Sequence, residues 1–130
     1  VTEKEKEIFS LAAKDPVAQI ESHVLDKQAF LALQAKTEAV HISEKISSYV
    51  KRVVDLSRSH EKLRRGISTR GGVIWLRVAR ARALVHGRDY VVPDDLIELA
   101  PMCLAHRIVA NNPSEAQAIV SSILEAVDVD

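Results

Sequence analysis

The segment Arg64–Gly72, RRGISTRGG, holds the residues of this chain that are best suited to chemistry. Three glycines and two hydroxyl residues surround Arg70, and an apolar run follows at once. Arginine keeps its charge at any working pH and forms paired hydrogen bonds to phosphate or carboxylate. Because a cation at a helix N-terminus is disfavoured by roughly a few tenths of a kcal/mol, we interpret Arg70 as a group presented to an anion. The alternative is an ordinary solvent-exposed loop arginine.

Other catalytic patterns are absent from the sequence. No phosphate-binding G-x-x-x-x-G-K-[ST] motif occurs, and the five histidines never pair at i, i+4, so no metal site is predicted. Cys103 lies in an apolar helical pattern without an evident base and is predicted to be an inert thiol. Asp94 and Asp95 stand where a helix N-terminus favours negative charge. We expect no enzymatic activity from this chain alone.

Size and composition predict a globular protein. The chain has 130 residues, of which 47% are hydrophobic and 28% are charged, enough for one domain with an aliphatic core. No apolar run approaches the roughly 18 residues that span a bilayer. With a single cysteine and no signal-peptide pattern, the sequence predicts a cytoplasmic location and no membrane association.

The net charge of zero hides an uneven distribution. Residues 1–50 carry −2, residues 51–88 carry +9, and residues 89–130 carry −7. A strongly basic block indicates either an anionic partner or an acidic surface within the same fold. The sequence leaves both interpretations open.

Hydrophobic periodicity predicts helices almost throughout. Ser43 and Ser68 are suited to cap two helices, Gly87 is suited to end the second of these, and Asn112-Pro113 is suited to begin the last one. A single helix is expected to begin at Pro93 and to continue through Ala105. The predicted fold is all-α, a small bundle of five or six helices with at most a minimal strand near Tyr90–Val92.

Several separated motifs resemble the C-terminal lid domain of MoxR-type AAA+ ATPases, over roughly residues 26–110. The matching residues are Tyr49-Val50, Ser57-Arg58, Gly66-Ile67-Ser68-Thr69-Arg70, Gly87-Arg88-Asp89-Tyr90-Val91-Val92-Pro93-Asp94-Asp95-Leu96 and Leu104-Ala105-His106-Arg107. Three departures stand out. Thr69 replaces a proline, Ile67 and Gly71 replace alanines, and Val92 replaces a threonine that would cap the following helix.

The resemblance implies a role for Arg70 as the sensor-2 arginine, which reaches the γ-phosphate of ATP held by a preceding α/β core. That core would also supply the P-loop, the Walker B acid and the Mg²⁺ site, and the parent protein would be an ATPase. Residues 1–25 would be the end of the core or a hinge segment, and residues 26–130 the lid. The expected partners are the N-terminal core, neighbouring subunits of a ring and a client protein, which in this family often carries a von Willebrand A domain.

Other residues near Arg70 are candidates for the same site. Ser68 and Thr69 flank the arginine, while Tyr49 and Val53 lie on a helix face that could either cover adenine or pack in the core. The roles of four further arginines stay open between nucleotide cleft, subunit interface and solvent; they are Arg58, Arg64, Arg65 and Arg77.

Two other functions compete with the lid interpretation. The basic block could bind nucleic acid, although its arginines point in several directions and no reading helix stands out, so this function is disfavoured. Alternatively, the apolar stripe Ala116–Val127 could serve as a plain protein-interaction surface.

Overall fold

The computed structural model describes residues 2–12 and 24–129. The chain divides into two compact units, Val1–Ala32 and Leu33–Asp130. Residues 13–23, which belong to the predicted hinge segment 1–25, lie outside the described residues. The functional boundary expected after residue 25 stays a prediction.

The described residues are mostly helical, with seven α-helices, two short 3-10 helices and two short strands. In chain order these elements are α1 (Glu3–Ala12), α2 (Lys27–Ala39), α3 (Glu44–Ser59), β1 (Leu63–Arg65), α4 (Thr69–Val85), α5 (Pro93–Ile97), α6 (Ala100–Leu104), a 3-10 helix (Ala105–Arg107), β2 (Val109–Ala110), a second 3-10 helix (Pro113–Glu115) and α7 (Ala116–Glu125). The all-α fold class is therefore confirmed.

The helix α2 carries exposed apolar side chains. Asp26 caps it, because its Oδ1 accepts a hydrogen bond of 2.7 Å from the Ala29 N–H. Phe30, Leu31 and Leu33 are 53%, 50% and 42% exposed, and no residue of α2 is buried. The helix therefore rests on local capping and backbone hydrogen bonds more than on a buried face.

The core of the second unit forms where α3, α4, α6 and α7 meet. Its largest side chains are Trp75 of α4 and Tyr49 of α3, both fully buried with ring centroids 6.3 Å apart. The indole Nε1 of Trp75 donates a hydrogen bond of 2.9 Å to the carbonyl of Leu96. This bond satisfies the polar atom of the indole inside the core and ties α4 to α5.

Two predicted helix starts and one predicted helix end are confirmed. The Oγ of Ser43 accepts from the Ile46 N–H at 3.3 Å, and the Oγ of Ser68 accepts from the Gly71 N–H at 3.1 Å. Gly87 follows α4 with φ at +72°, in the left-handed region that glycine enters without steric cost.

The minimal strand predicted near Tyr90–Val92 is an isolated bridge between Tyr90 and His41. A two-stranded antiparallel sheet that was not predicted pairs β1 with β2. The strand β1 lies in the connection between α3 and α4. Local pattern could not reveal this pairing, because the partner strand lies more than forty residues further along the chain.

The long helix expected from Pro93 to Ala105 is instead divided into α5, α6 and a 3-10 turn. Pro101 lies in the first turn of the second piece, α6. A proline has no N–H and clashes with the preceding turn, so it can start a helix but not continue one. This division accounts for the helix count of seven rather than five or six.

The apolar stripe on α7 is part of the core. Ile119, Val120, Ile123 and Val127 are between 2% and 9% exposed. The stripe presents no free face, so the alternative that it serves as a protein-interaction surface is contradicted.

Part of the basic block pairs with the acidic C-terminal segment. Arg88 forms two hydrogen bonds of 2.7 Å with the two oxygens of Asp95, whose side chain is 1% exposed. The Nε of Arg82 lies 3.3 Å from the same carboxylate, and its Nη2 contacts Glu98. Asp95 therefore does more than place a negative charge at the N-terminus of α5, since its carboxylate also binds Arg82 and Arg88.

Candidate functional site

The loop before α4 is held by side chains from the end of α3. The Oγ of Ser57 accepts a hydrogen bond of 2.8 Å from the Ile67 N–H, and the Nε of Arg58 donates one of 3.1 Å to the Ile67 carbonyl. Ile67 itself is 1% exposed. Both backbone groups of this residue are thus fixed, and so is the direction in which the chain enters α4. We call these two bonds the Ile67 clamp.

Gly66 allows the loop to approach α3. A Cβ atom at this position would lie 2.5 Å from the carbonyl carbon and oxygen of Ser57 and 2.6 Å from the N of Arg58. Such distances are far below van der Waals contact, and the obstructing atoms are backbone. Only glycine fits while the Ile67 clamp is closed.

Ser68 and Thr69 begin α4 and are both exposed. Ser68 is the N-cap, while the Oγ1 of Thr69 accepts a hydrogen bond of 3.0 Å from the Nη2 of Arg58. A proline, which the family pattern has at this position, could not make that contact. The departure from the pattern therefore adds a second tie between Arg58 and the start of α4.

Arg70 follows in the first turn of α4, with an exposed side chain. It makes no hydrogen bond or ion pair with any residue that the structure describes. The first N–H groups of a helix lack carbonyl partners within the helix, so the positive charge of Arg70 stands beside the positive end of the helix dipole. A fixed loop thus presents a free guanidinium to the exterior.

Tyr49 and Val53 lie elsewhere. They are 0% and 1% exposed in the core on α3, which supports the packing role that the sequence left open for them. Burial raises the pKa of the Tyr49 hydroxyl, and that hydroxyl has no hydrogen-bond partner among the described residues. In this structure neither side chain offers a surface to a nucleotide, and contact with adenine stays a prediction.

The arginines of undecided role are separated by the structure. Arg58 and Arg65 line an open cleft of about 540 Å³ together with Ser68, His106 and Arg107. Arg64 and Arg77 are exposed and are not among its lining residues. His106 and Arg107 were not predicted to belong to a site, because no local pattern places them near residues 58–68. The pairing of β1 with β2 and the 3-10 turn bring them beside the loop.

The remaining chemistry of the described residues is sparse. No group of three or more His, Cys, Asp or Glu side chains in this part of the chain could hold a metal ion. Cys103 is half-buried, and burial raises the pKa of its thiol. None of the helices in the described ranges is both long enough and apolar enough to cross a membrane.

Comparison with known proteins agrees with this architecture. Residues 55–126 match the AAA lid domain family. The chain is 34% identical to the YeaC protein of Bacillus subtilis, described as uncharacterized, and 33% identical to the chaperone MoxR1 of Mycobacterium tuberculosis. These alignments cover 97% and 94% of the chain but only 41% and 34% of the relatives.

A solved structure supports the same assignment. A protein of Cytophaga hutchinsonii described as a candidate ATPase superposes with a TM-score of 0.74 at 28% identity, covering 98% of this chain and 44% of that one. The chain therefore belongs to the AAA lid domain family. Its similarity to MoxR proteins identifies it more closely as a lid domain of the MoxR-like AAA+ ATPases, as the motifs around Arg70 predicted.

Proposed function

We propose that Arg70 is the sensor-2 arginine of this lid and that it contacts the γ-phosphate of ATP bound to a separate nucleotide-binding core. The observation that carries the proposal is an exposed guanidinium, without a partner among the described residues, at the start of a capped helix. An arginine in this position gains from an anion, whereas a purely structural arginine would be expected to pair within its own fold.

The residues at the start of α4 fit one contact with the γ-phosphate. Arg70 can donate two N–H groups to phosphate oxygens, and Ser68 and Thr69 hold the helix start from which it projects. The G-x-x-x-x-G-K-[ST] loop that cradles the other phosphates does not occur in the sequence. In this proposal the nucleotide-binding core, which would also hold Mg²⁺, is a separate domain of the full-length protein.

Within such an ATPase, Arg70 would stabilise negative charge that develops during phosphoryl transfer. The same contact would report whether the γ-phosphate is present, because Arg70 loses its partner after hydrolysis. The lid would then be free to rotate against the core, and in a ring of subunits this rotation would reach the neighbouring subunit and a bound client. The existence of a client is part of this proposal, and the resemblance suggests a client that carries a von Willebrand A domain.

The test is the ATP turnover of the full-length protein with Arg70→Ala. We expect turnover to fall by about 10²-fold or more, as for the loss of a group that stabilises transition-state charge. The matched control is Arg77→Ala. It removes an exposed arginine that lies seven residues, or about two turns, further along α4. Equal turnover in the wild type and the Arg70→Ala protein, with unchanged thermal unfolding, would refute the role of Arg70.

A further inference from the structure

The cleft lined by Arg58, Arg65, Ser68, His106 and Arg107 is separate from the Arg70 contact. Arg70 is not among its lining residues, although Ser68 stands between the two. The cleft is built from three elements that meet only in the folded chain. They are the end of α3, the strand β1 with the loop that follows it, and the 3-10 turn after α6.

The charges around the cleft do not balance. Arg65 and Arg107 form no ion pair with any described residue. Asp55 lies 3.8 Å from the Nη1 of Arg58, but this carboxylate already accepts a hydrogen bond of 2.6 Å from Lys51. The three arginines therefore leave an excess of positive charge at the cleft, which a bound anion would offset.

Arg107 is held in place by its surroundings. Its Nε is buried and has no hydrogen-bond partner among the described residues. A Cβ atom on Gly71 would lie 3.5 Å from the Cδ of Arg107, so the aliphatic part of this arginine runs along the start of α4. The aliphatic part of the side chain is therefore packed before any ligand arrives, which reduces the side-chain entropy that binding must overcome.

Arg58 is similarly restrained. It contacts the Ile67 carbonyl and the Thr69 hydroxyl through its Nε and Nη2, so its plane is fixed relative to the loop. Arg65 completes the site from β1, where its neighbour Arg64 is exposed but does not line the cleft. Adjacent arginines of one strand thus have different positions relative to the same cleft.

We propose that this cleft binds a phosphoryl group of a small molecule. Donors converge from three elements, which suits the several oxygens and the higher charge of a phosphate better than the two oxygens of one carboxylate. The room of about 540 Å³ admits a phosphate that is attached to a larger group. This inference goes beyond the sensor role of Arg70 and does not depend on it.

The test is a titration of the 130-residue chain with sodium pyrophosphate at constant ionic strength, followed by backbone amide NMR shifts. We expect saturable shifts at residues 65–68 and 106–107, with a dissociation constant for pyrophosphate of at most about 10 mM. Arg65→Gln should weaken binding by at least about tenfold, because one charge-assisted contact is lost. Arg64→Gln, the matched control on the same strand, should weaken it less than about twofold.

The source of the phosphoryl group follows from two further titrations, with inorganic phosphate and with ATP. If ATP binds more tightly than pyrophosphate, the ligand is a nucleotide; if all three bind alike, it is a free phosphate group. Either result supports the proposal. Three results would overturn it. They are the absence of saturable shifts, an equal loss of pyrophosphate affinity in Arg64→Gln and Arg65→Gln, and tighter binding of a glutamate-rich peptide than of pyrophosphate.

The Arg70→Ala chain distinguishes this inference from the sensor role. Pyrophosphate binding should be retained in that variant, because Arg70 does not line the cleft. Its loss would show that the cleft belongs to the Arg70 contact, which would refute a separate site. The sensor role is decided independently, by ATP turnover of the full-length protein.

Discussion

The hydroxyl of Ser57 joins the end of α3 to the loop that begins α4. Its Oγ accepts a hydrogen bond of 2.8 Å from the Ile67 N–H and donates one of 2.6 Å to the Val54 carbonyl. Ser57 is fully buried, so water cannot replace either bond. Because Ser68 and Arg70 follow directly, this one side chain helps to set the position of the candidate site.

Replacing Ser57 with alanine should therefore destabilise the domain. The variant would leave the buried N–H of Ile67 without a partner, at a cost of about 1–3 kcal/mol in the free energy of unfolding. Urea denaturation of the wild type and the variant measures this difference directly.

Ser59 provides the matched control for Ser57. Its Oγ also donates to a helix carbonyl, that of Leu56, but the residue is exposed. Ser59→Ala should change the free energy of unfolding by less than about 0.5 kcal/mol. Equal effects of the two substitutions would show that the Ile67 clamp contributes nothing beyond a surface hydrogen bond.

Two glycines should respond differently to alanine for physically distinct reasons. Gly66→Ala would drive a Cβ into the backbone of Ser57, so the loop must move and the Ile67 clamp must open. Gly87→Ala meets no atom within 4 Å and suffers only from its φ of +72°, a cost of about 1–2 kcal/mol.

We therefore expect Gly66→Ala to lower the melting temperature more than Gly87→Ala, and to shift the amide NMR signals of Ile67 and Ser68. The Gly87 variant should leave those signals unchanged. A Gly66→Ala protein as stable as the wild type would contradict the close approach of this loop to α3.

Asp95→Asn should be among the most destabilising polar substitutions in the chain. The variant would leave Arg88 and Arg82 without their shared carboxylate, and removing one partner of a buried ion pair costs about 3–5 kcal/mol. The lower end applies here, since both arginine side chains keep 24% exposure. Asp94→Asn, the neighbouring exposed acid, should change stability by less than about 0.5 kcal/mol. Thermal unfolding of both variants gives the comparison.

The same carboxylate predicts a dependence of stability on pH. Burial alone would raise the pKa of Asp95, but hydrogen bonds from Arg88 and the Val92 N–H, with the charges of Arg88 and Arg82, hold it below its ordinary value. A group with a lowered folded-state pKa contributes stability above its unfolded pKa, near about 3.9, and loses it as the pH falls further.

The difference in unfolding free energy between the wild type and Asp95→Asn should therefore be largest at neutral pH and should shrink below about pH 4. Urea denaturation at several pH values measures this difference. A constant difference down to about pH 2 would mean that the pKa of Asp95 is the same in the folded and unfolded states, and that the asparagine acts through packing or hydrogen bonding alone.

The sequence predicted the features that depend on neighbouring residues. Capping by Ser43 and Ser68 and the left-handed turn at Gly87 each follow from a side chain and the backbone within three or four residues. The loss of a side-chain cap at Val92 was also foreseen. The structure adds that Asp95 accepts from the Val92 N–H at 2.9 Å, which supplies part of the missing capping.

Features that join distant segments escaped prediction. The Ile67 clamp links residues ten positions apart, and the pairing of β1 with β2 brings Arg107 beside Arg65. Neither follows from periodicity, because both depend on the packing of α3 against α4 and on where the chain returns after α6. Pro101 was a local signal for the break between α5 and α6. The apolar residues on both sides of it nevertheless keep a helical spacing, which favoured a single continuous helix.

The Ile67 clamp also bears on how mechanical load would travel through the domain. A pull on Arg70 would be borne by the backbone of the preceding loop, and that loop is fastened to α3 by Ser57 and Arg58 as well as to α4. Two helices rather than one would therefore take up the force, and the first turn of α4 would resist unwinding under load.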